Sequence, residues 1–206
     1  MKRVMIETYP RSGHHFLIHK ILYPICNNPL NYCECYDHCN TVPCPDNRRI
    51  QKSHDFLLKD PILENFKYLI QYRHPYESIV SFFKLMETEN NVNYQYDRKG
   101  WNDFLNNKID YWLAFMDKWA GSQSLFNNDV MHVQYSQLIN DLEETVTKIT
   151  HFIEIDDYDK SKLQEINPRK LTNTRNFEYF KLRDIWKVDR RCKEAIKRLQ
   201  IEKVTI

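Results

Sequence analysis

The stretch Thr8–Leu17 near the start of the chain, TYPRSGHHFL, constrains the fold and the chemistry more than any other segment. It follows a short apolar run typical of a buried strand, and apolar residues at helical spacing come after it. A chain that leaves a strand at Pro10, turns through Gly13 and opens a helix directs backbone N–H groups and the partial positive charge of the helix N-terminus to one spot. Arg11 adds a fixed cation. The stretch therefore predicts a site for a phosphate-like group.

This loop differs from the phosphate loop of nucleoside triphosphatases. That loop has two widely spaced glycines, a Lys and a following Ser or Thr that binds magnesium. The whole chain holds 3 Gly, and no Lys-Ser or Lys-Thr pair lies in the loop. A small kinase of similar fold, driven by ATP and magnesium, remains an alternative function that these features disfavour.

Length and charge set broad limits. A chain of 206 residues favours one α/β domain over 1–206. The formal net charge of +2 argues against a dedicated nucleic-acid binder, which carries a clear basic excess. The sequence shows no signal-peptide pattern and no apolar run of membrane-spanning length, so we expect no membrane span and a cytoplasmic protein.

Strand and helix patterns alternate along the chain, which favours a mainly parallel sheet covered on both faces. Strands are predicted at Arg3–Thr8, Arg49–Lys52, Tyr68–Arg73 and Val130–Gln134. Helices are predicted at His15–Tyr23, Pro75–Glu87, Trp101–Trp119, Leu142–Ile153 and Arg190–Leu199. Two segments are predicted to be irregular, 27–47 and 89–100.

A second candidate anion site begins where the third predicted strand ends, in the sequence RHPYESIVS. Arg73 closes the strand, Pro75 can start a helix at its first position, and Ser81 lies a little over two helical turns further on. The planar guanidinium of arginine donates two hydrogen bonds to phosphate oxygens. The alternative is an arginine that caps the sheet and a serine on a helix face.

Between these two segments lies Lys52-Ser53-His54, at the end of a short predicted strand. Imidazole titrates near neutral pH, which suits it to accept a proton from an attacking hydroxyl. Without its neighbours, His54 would be interpreted as a surface or capping histidine, since the chain has 8 His.

In this order the segments resemble the sulfotransferases that use 3′-phosphoadenosine-5′-phosphosulfate (PAPS). YPRSGHHF resembles their 5′-phosphosulfate loop, Y-P-[KR]-S-G-T-T-W, with His14 and His15 at the threonines and Phe16 at the tryptophan. RHPYESIVS resembles their 3′-phosphate motif, R-[NDH]-P-x-[DE]-x-x-V-S, and KSH resembles the K-[TS]-H segment that carries the general base.

The resemblance implies a three-layer α/β/α fold like that of nucleotide kinases, with a P-loop-like nucleotide site. It implies transfer of a sulfuryl group from PAPS to the hydroxyl or amine of a small-molecule or glycan acceptor. Adenosine 3′,5′-bisphosphate (PAP) is released, and the in-line transfer needs no metal. A nucleotide-binding module of the same fold that has lost turnover is the other alternative.

The resemblance also implies roles for individual residues. The 5′-phosphosulfate is held by Arg11, Ser12, Gly13, His14, His15 and Phe16. The 3′-phosphate is held by Arg73 and Ser81, while Lys52 and Arg11 assist the leaving group and His54 is the base. Tyr135, in VQYSQL, matches a tyrosine near the adenine, although a core tyrosine at a strand end explains it as well.

The C-terminal part departs most from the family pattern. Members usually close the 3′-phosphate site with a loop of the form R-K-G-x-x-G-x-W-[KR], and this chain has no glycine there. Trp186-Lys187 can mark the same turn into the last helix, and Arg175 or Lys181 can then supply the missing cation.

The irregular segment 27–47 is a Cys-rich insert. Five of the 6 cysteines lie in or next to it, at Cys26, Cys33, Cys35, Cys39 and Cys44, with His38 among them. Four thiolates, or three with His38, can bind a structural zinc ion, but the usual paired C-x-x-C is absent. Disulfides or free thiols are equally open interpretations. Because the insert precedes the segment with His54, it can line the acceptor side of the site.

Overall fold

The central element is a five-stranded, fully parallel β-sheet in the order β2-β3-β1-β4-β5. The computed structural model describes residues 2–90, 98–121, 129–167 and 181–201, with the side chains of 87–90 left out. The strands are β1 (Arg3–Thr8), β2 (Tyr32–Glu34), β3 (Ile50–Ser53), β4 (Phe66–Tyr72) and β5 (Val130–Gln134). The predicted parallel sheet is confirmed.

Helical segments follow β1, β2, β4 and β5. They are a π-helical segment Phe16–Leu22 that continues into α1 (Tyr23–Ile25), α2 (Pro75–Asn90), α3 (Arg98–Ala120), α4 (Tyr135–Asn140), α5 (Leu142–Phe152) and α6 (Leu182–Arg198). Two short helical turns are π-helical Cys35–Cys39 and 3₁₀-helical Lys160–Glu165.

The sheet lies between two hydrophobic cores. Successive side chains of a strand point to opposite faces, so β1 contributes Val4 and Ile6 to one core and Met5 to the other. Helices α2, α3 and α6 pack on the Met5 face, while Phe16–Leu22 and α5 pack on the Val4 face. This arrangement is the expected three-layer α/β/α fold, and both faces of the sheet are buried, as is typical of parallel sheets.

Helix α6 begins eight residues before the predicted Arg190. Asp184, which is 1% exposed, accepts the backbone N–H of Lys181 at 3.1 Å and so caps the first turn. Its carboxylate also accepts hydrogen bonds from Arg98 (2.6 Å) and Trp101 (3.3 Å) of α3. Trp186-Lys187 consequently lies inside α6 and not in the turn before it.

The Cys-rich insert is more regular than expected, because it contains β2 and the turn Cys35–Cys39. All six cysteines are free thiols in the structure. Arg175 and residues 91–97 of the predicted irregular segment 89–100 lie outside the described residues, whereas the described ends of that segment are helical and belong to α2 and α3. Within the described ranges, no helix combines the length and apolarity needed to cross a membrane.

Candidate functional site

The predicted site residues converge on one cleft of about 820 Å³ at the carboxyl-terminal edge of the sheet. It is lined by Arg11, Gly13, His14, His15, Phe16, Lys52, His54, Arg73, Ser81 and Tyr135. Parallel strands all end at the same edge, which brings segments far apart in sequence together. Of the predicted residues, Ser12 does not line the cleft and Arg175 lies outside the described part of the chain.

The loop after β1 has the backbone of an anion site. Arg11 and Gly13 both have positive φ, 67° and 86°. The first helical hydrogen bond runs from the N–H of Leu17 to the carbonyl of Gly13 at 3.0 Å. The N–H groups of residues 14–16 therefore precede the first intrahelical donor, so they and the helix dipole are directed to the N-terminal end.

Ser12 fixes the loop from behind. Its side chain is fully buried, its N–H donates to the carbonyl of Tyr9 at 3.1 Å, and its carbonyl accepts the side-chain amide of Gln71 at 3.1 Å. Ser12 thereby links the loop to the end of β4.

Tyr135 holds the loop and Arg73 together. A Cβ placed on Gly13 would lie 2.1 Å from the Tyr135 ring, far inside van der Waals contact. The guanidinium of Arg73 lies 4.4 Å from the centre of the same ring, within cation–π range. Only glycine at position 13 allows this close approach.

Hydrogen bonds of Arg73 and Arg11 hold the second candidate anion site in place. Arg73 is 7% exposed and its Nε donates to Glu77 at 2.7 Å, one helical turn into α2. Arg11 Nε donates to Ser81 Oγ at 3.1 Å. Arg11 therefore reaches from the loop to the serine that was predicted to act with Arg73.

Lys52 is a buried ammonium group held by the edge strand. It is 2% exposed, and β2 pairs Glu34 directly beside it in register. Its Nζ donates to Tyr36 Oη at 2.9 Å and lies 3.7 Å from Glu34 Oε2. Burial lowers the pKa of Lys52 to about 8, although Glu34 opposes this shift.

Glu34 is the anionic partner in this network. Burial alone would raise its pKa, but the charge of Lys52 and hydrogen bonds from Tyr36 and Tyr32 hold the pKa at about 2. His14 joins the same network, since its Nε2 lies 2.6 Å from Tyr32 Oη, which itself donates to Glu34 at 2.9 Å. Because the Tyr32 proton goes to Glu34, the Nε2–H of His14 is the donor to Tyr32.

His54 is oriented by the end of β1. Its Nδ1 lies 2.7 Å from the carbonyl of Thr8, so Nδ1 carries the proton and Nε2 is the atom able to accept one. Burial, with the positive charges of Lys52 and Arg11, lowers the pKa of His54 to about 3, which keeps the ring neutral. The rings of Tyr36 (4.8 Å) and Phe56 (5.1 Å) flank it.

Sequence reasoning missed Glu34, Tyr36 and Phe56, all of which line the cleft. Glu34 and Tyr36 lie in the insert that was predicted to be irregular. Their roles follow from the parallel register of β2 with β3, which a three-residue edge strand does not reveal. Phe56 directly follows the Lys52–Asp55 segment and is 48% exposed, so it adds an apolar surface to the cleft.

The chain belongs to the sulfotransferase family, because the model of that family matches residues 34–160, more than half of the chain. The matched range includes Lys52, His54, Arg73, Ser81 and Tyr135 but begins after the phosphate loop. No curated protein sequence matches the chain.

Solved structures share the fold at low sequence identity. Mouse sulfotransferase SULT7A1 complexed with PAP has a TM-score of 0.64 and 17% identity, covering 95% of this chain and 84% of that one. Retinol dehydratase in a complex with retinol and PAP has a TM-score of 0.62 and 14% identity, covering 99% and 83%. The sulfotransferase domain of the Synechococcus PCC 7002 olefin synthase has a TM-score of 0.52 and 16% identity, covering 94% of each chain.

We predict that Gly13→Ala destabilises the protein by about 2 kcal/mol or more. Left-handed backbone costs an alanine about 1–2 kcal/mol, and the contact with Tyr135 adds to that cost. Urea denaturation measures the change in the free energy of unfolding. In the double variant with Tyr135→Ala, the cost of Gly13→Ala falls by about 1 kcal/mol, because the steric contact is removed.

Gly121→Ala is the matched control. The atoms nearest to its Cβ would be those at the end of the Arg198 side chain, which is flexible and half exposed, so we expect a change below about 0.5 kcal/mol. Equal costs at the two glycines would contradict the proposed role of Gly13.

Proposed function

We propose that this protein transfers a sulfuryl group from PAPS to the hydroxyl or amine of an acceptor molecule. The observation that carries the proposal is the single cleft onto which a helix N-terminus, two arginines, a buried ammonium and a neutral imidazole all open. Membership of the sulfotransferase family supports it, as does PAP in the related structures of SULT7A1 and retinol dehydratase.

The cleft fits a nucleotide with phosphate at both ends. Its volume of about 820 Å³ lies in the range of small-molecule sites. Arg11, Lys20, Lys52 and Arg73 bring four cations, against which Glu34 and Glu77 bring two carboxylates. Together with the N–H groups of the loop, this excess of positive charge favours the binding of an anion. When bound, PAPS supplies the sulfuryl group and PAP as leaving group.

The two ends of the donor are assigned to two groups of residues. The N–H groups of residues 13–16 would hold the 5′-phosphosulfate, and Arg73 with Ser81 would hold the 3′-phosphate. Arg11 extends between these groups, since its Nε already contacts Ser81. Tyr135 is assigned to fix Arg73 against the loop, and its contact with adenine stays a prediction.

Lys52 is assigned to compensate negative charge. In a water-poor site an ammonium interacts strongly with anionic oxygens, and its fixed position costs no reorganisation during the reaction. Glu34 and Tyr36 hold the ammonium in place. An anionic donor beside Lys52 would raise the pKa of the lysine and so preserve its charge.

His54 is assigned to accept the proton of the acceptor through Nε2. The carbonyl of Thr8 fixes the ring and its tautomer. In the empty cleft a pKa of about 3 makes the imidazole a weak base, and the negative charge of a bound donor would raise that pKa. The rings of Tyr36 and the exposed Phe56 flank the imidazole of His54. They favour an acceptor with an apolar or aromatic part. Retinol dehydratase, of the same fold, has been solved with retinol and with androsterone.

We predict that His54→Ala lowers sulfuryl transfer at least about 100-fold, the usual contribution of a general base. Binding of PAP changes by less than about threefold, because His54 faces the acceptor and not the nucleotide phosphates. The measurement is transfer from labelled PAPS to a panel of phenols, aliphatic alcohols and amines, together with calorimetric titration by PAP.

His151→Ala, on the exposed face of α5, is the control and leaves both quantities unchanged. Wild-type turnover by His54→Ala would remove His54 from the role of base. Tight PAP binding by the wild type without transfer to any acceptor class would favour the nucleotide-binding module, and turnover with ATP and magnesium but not PAPS would favour a kinase.

The pKa of Lys52 predicts a pH dependence. Because burial lowers this pKa to about 8, the ammonium of the free enzyme loses its proton as pH rises through that value. We therefore expect kcat/KM for PAPS to fall above about pH 8, since kcat/KM reports groups of the free enzyme. Lys52→Arg keeps its charge throughout this range, so the fall disappears in that variant. The same fall in both proteins would contradict the assignment.

A further inference from the structure

Four thiols of the Cys-rich insert gather beside the edge of the sheet. Cys33 lies on β2, Cys35 and Cys39 begin and end the helical turn that follows, and Cys44 lies before β3. Cys33, Cys35 and Cys44 are at most 5% exposed, and the four form a small cluster of their own, apart from the two main cores. Cys26 and Cys192 belong to other parts of the molecule.

The spacing of the sulfur atoms fits a shared metal ion. The Sγ atoms of Cys33, Cys35 and Cys39 all lie within 4.8 Å of one another. Cys33 and Cys39 are 3.7 Å apart. Four thiolates at the Zn–S distance of about 2.3 Å around a tetrahedral ion are about 3.8 Å from each other. A disulfide needs about 2.05 Å, so Cys33 and Cys39 are not bonded to each other, and their separation matches that of two zinc ligands.

Cys44 completes the set. It is 2% exposed and packs in the same small cluster as Cys33, Cys35 and Cys39. Gln51 supports the cluster from β3, because its Oε1 accepts the N–H of Cys44 at 2.8 Å and lies 4.0 Å from Cys35 Sγ. His38 is a poorer candidate, since its side chain is 60% exposed and its Nδ1 accepts the N–H of Glu34 at 3.3 Å.

We propose that Cys33, Cys35, Cys39 and Cys44 bind one Zn²⁺ ion as four thiolates. Soft sulfur ligands select zinc over magnesium and calcium, which prefer oxygen. On binding, each coordinating thiol gives up its proton to solvent and forms a Zn–S bond, with no change in oxidation state. Four protein ligands leave no open position, so the ion is structural and takes no part in transfer.

The ion would fix the residues that hold Lys52. Glu34 lies between ligands Cys33 and Cys35, and Tyr36 follows directly after Cys35. Because side chains alternate along β2, Glu34 contacts Lys52 on one face while Cys33 joins the thiols on the other. This consequence for the site rests on the proposed function, whereas the metal site itself does not.

Zinc content tests the proposal without any substrate. Protein purified with reductant and no chelator is expected to hold about one zinc per chain by inductively coupled plasma mass spectrometry. Cys33→Ser and Cys39→Ser are expected to lower this content at least about tenfold. Cys26→Ser and Cys192→Ser, which remove thiols outside the cluster, keep it unchanged.

Measurements on the wild-type protein test the proposal even if the cysteine variants fail to fold. With zinc bound, the half-buried thiol of Cys39 resists a thiol reagent until a chelator is added, and cobalt substitution gives the absorption bands of a tetrahedral thiolate site. Wild-type protein that neither holds nor takes up zinc or cobalt would overturn the proposal. Equal metal content in the cluster and control variants, or a disulfide within the cluster under reducing purification, would also overturn it. None of these results would change the outcome of the PAPS transfer assay, so failure of the metal site and failure of the proposed function are distinguishable.

Discussion

The parallel direction of the five strands is the constraint on which the rest of this structure depends. Because every strand ends at the same edge, residues from four strand ends meet in one cleft: the loop after β1, Lys52 in β3 with His54 after it, Arg73 after β4 and Tyr135 after β5. β1 lies at the centre of the sheet and pairs with both β3 and β4. The phosphate loop is consequently flanked on each side by a strand that delivers a cation.

Burial of the Lys52 ammonium gives this edge its chemical character. Taking a charge out of water is unfavourable unless nearby groups compensate it. Glu34 on the neighbouring strand and Tyr36 in the turn after that strand do so. Tyr32 links His14 to Glu34 through two hydrogen bonds, so His14 belongs to the same network. His14 therefore ties the loop after β1 to the edge strand β2.

Much of this was predictable from local patterns. β1 and β5 have the predicted bounds, because apolar strands that end at turn residues are local signals. The start of α6 was not predictable, because it depends on the hydrogen bonds of Asp184 with Arg98 and Trp101 of another helix. β2 was missed because three residues of an edge strand carry no clear period. The single domain over 1–206 and the cytoplasmic location stay predictions.

The residues of the site also divide into those that were predictable from the sequence and those that were not. The resemblance to the sulfotransferases implied ten residues that line the cleft, and the topology of the sheet brings their short motifs at strand ends together. It did not predict Glu34 or Tyr36, whose contacts depend on the register of β2 against β3. Ser12 is buried behind the loop, a distinction that depends on the local turn and its hydrogen bonds to Tyr9 and Gln71.

Calorimetric titration with PAP and with adenosine 5′-monophosphate tests the central claim most directly. The two nucleotides differ only in the 3′-phosphate, which we assign to Arg73 and Ser81. A charge-assisted contact of this kind contributes about 1.5–3 kcal/mol, so PAP should bind at least about tenfold more tightly. Equal affinity for the two nucleotides would contradict the account of the cleft.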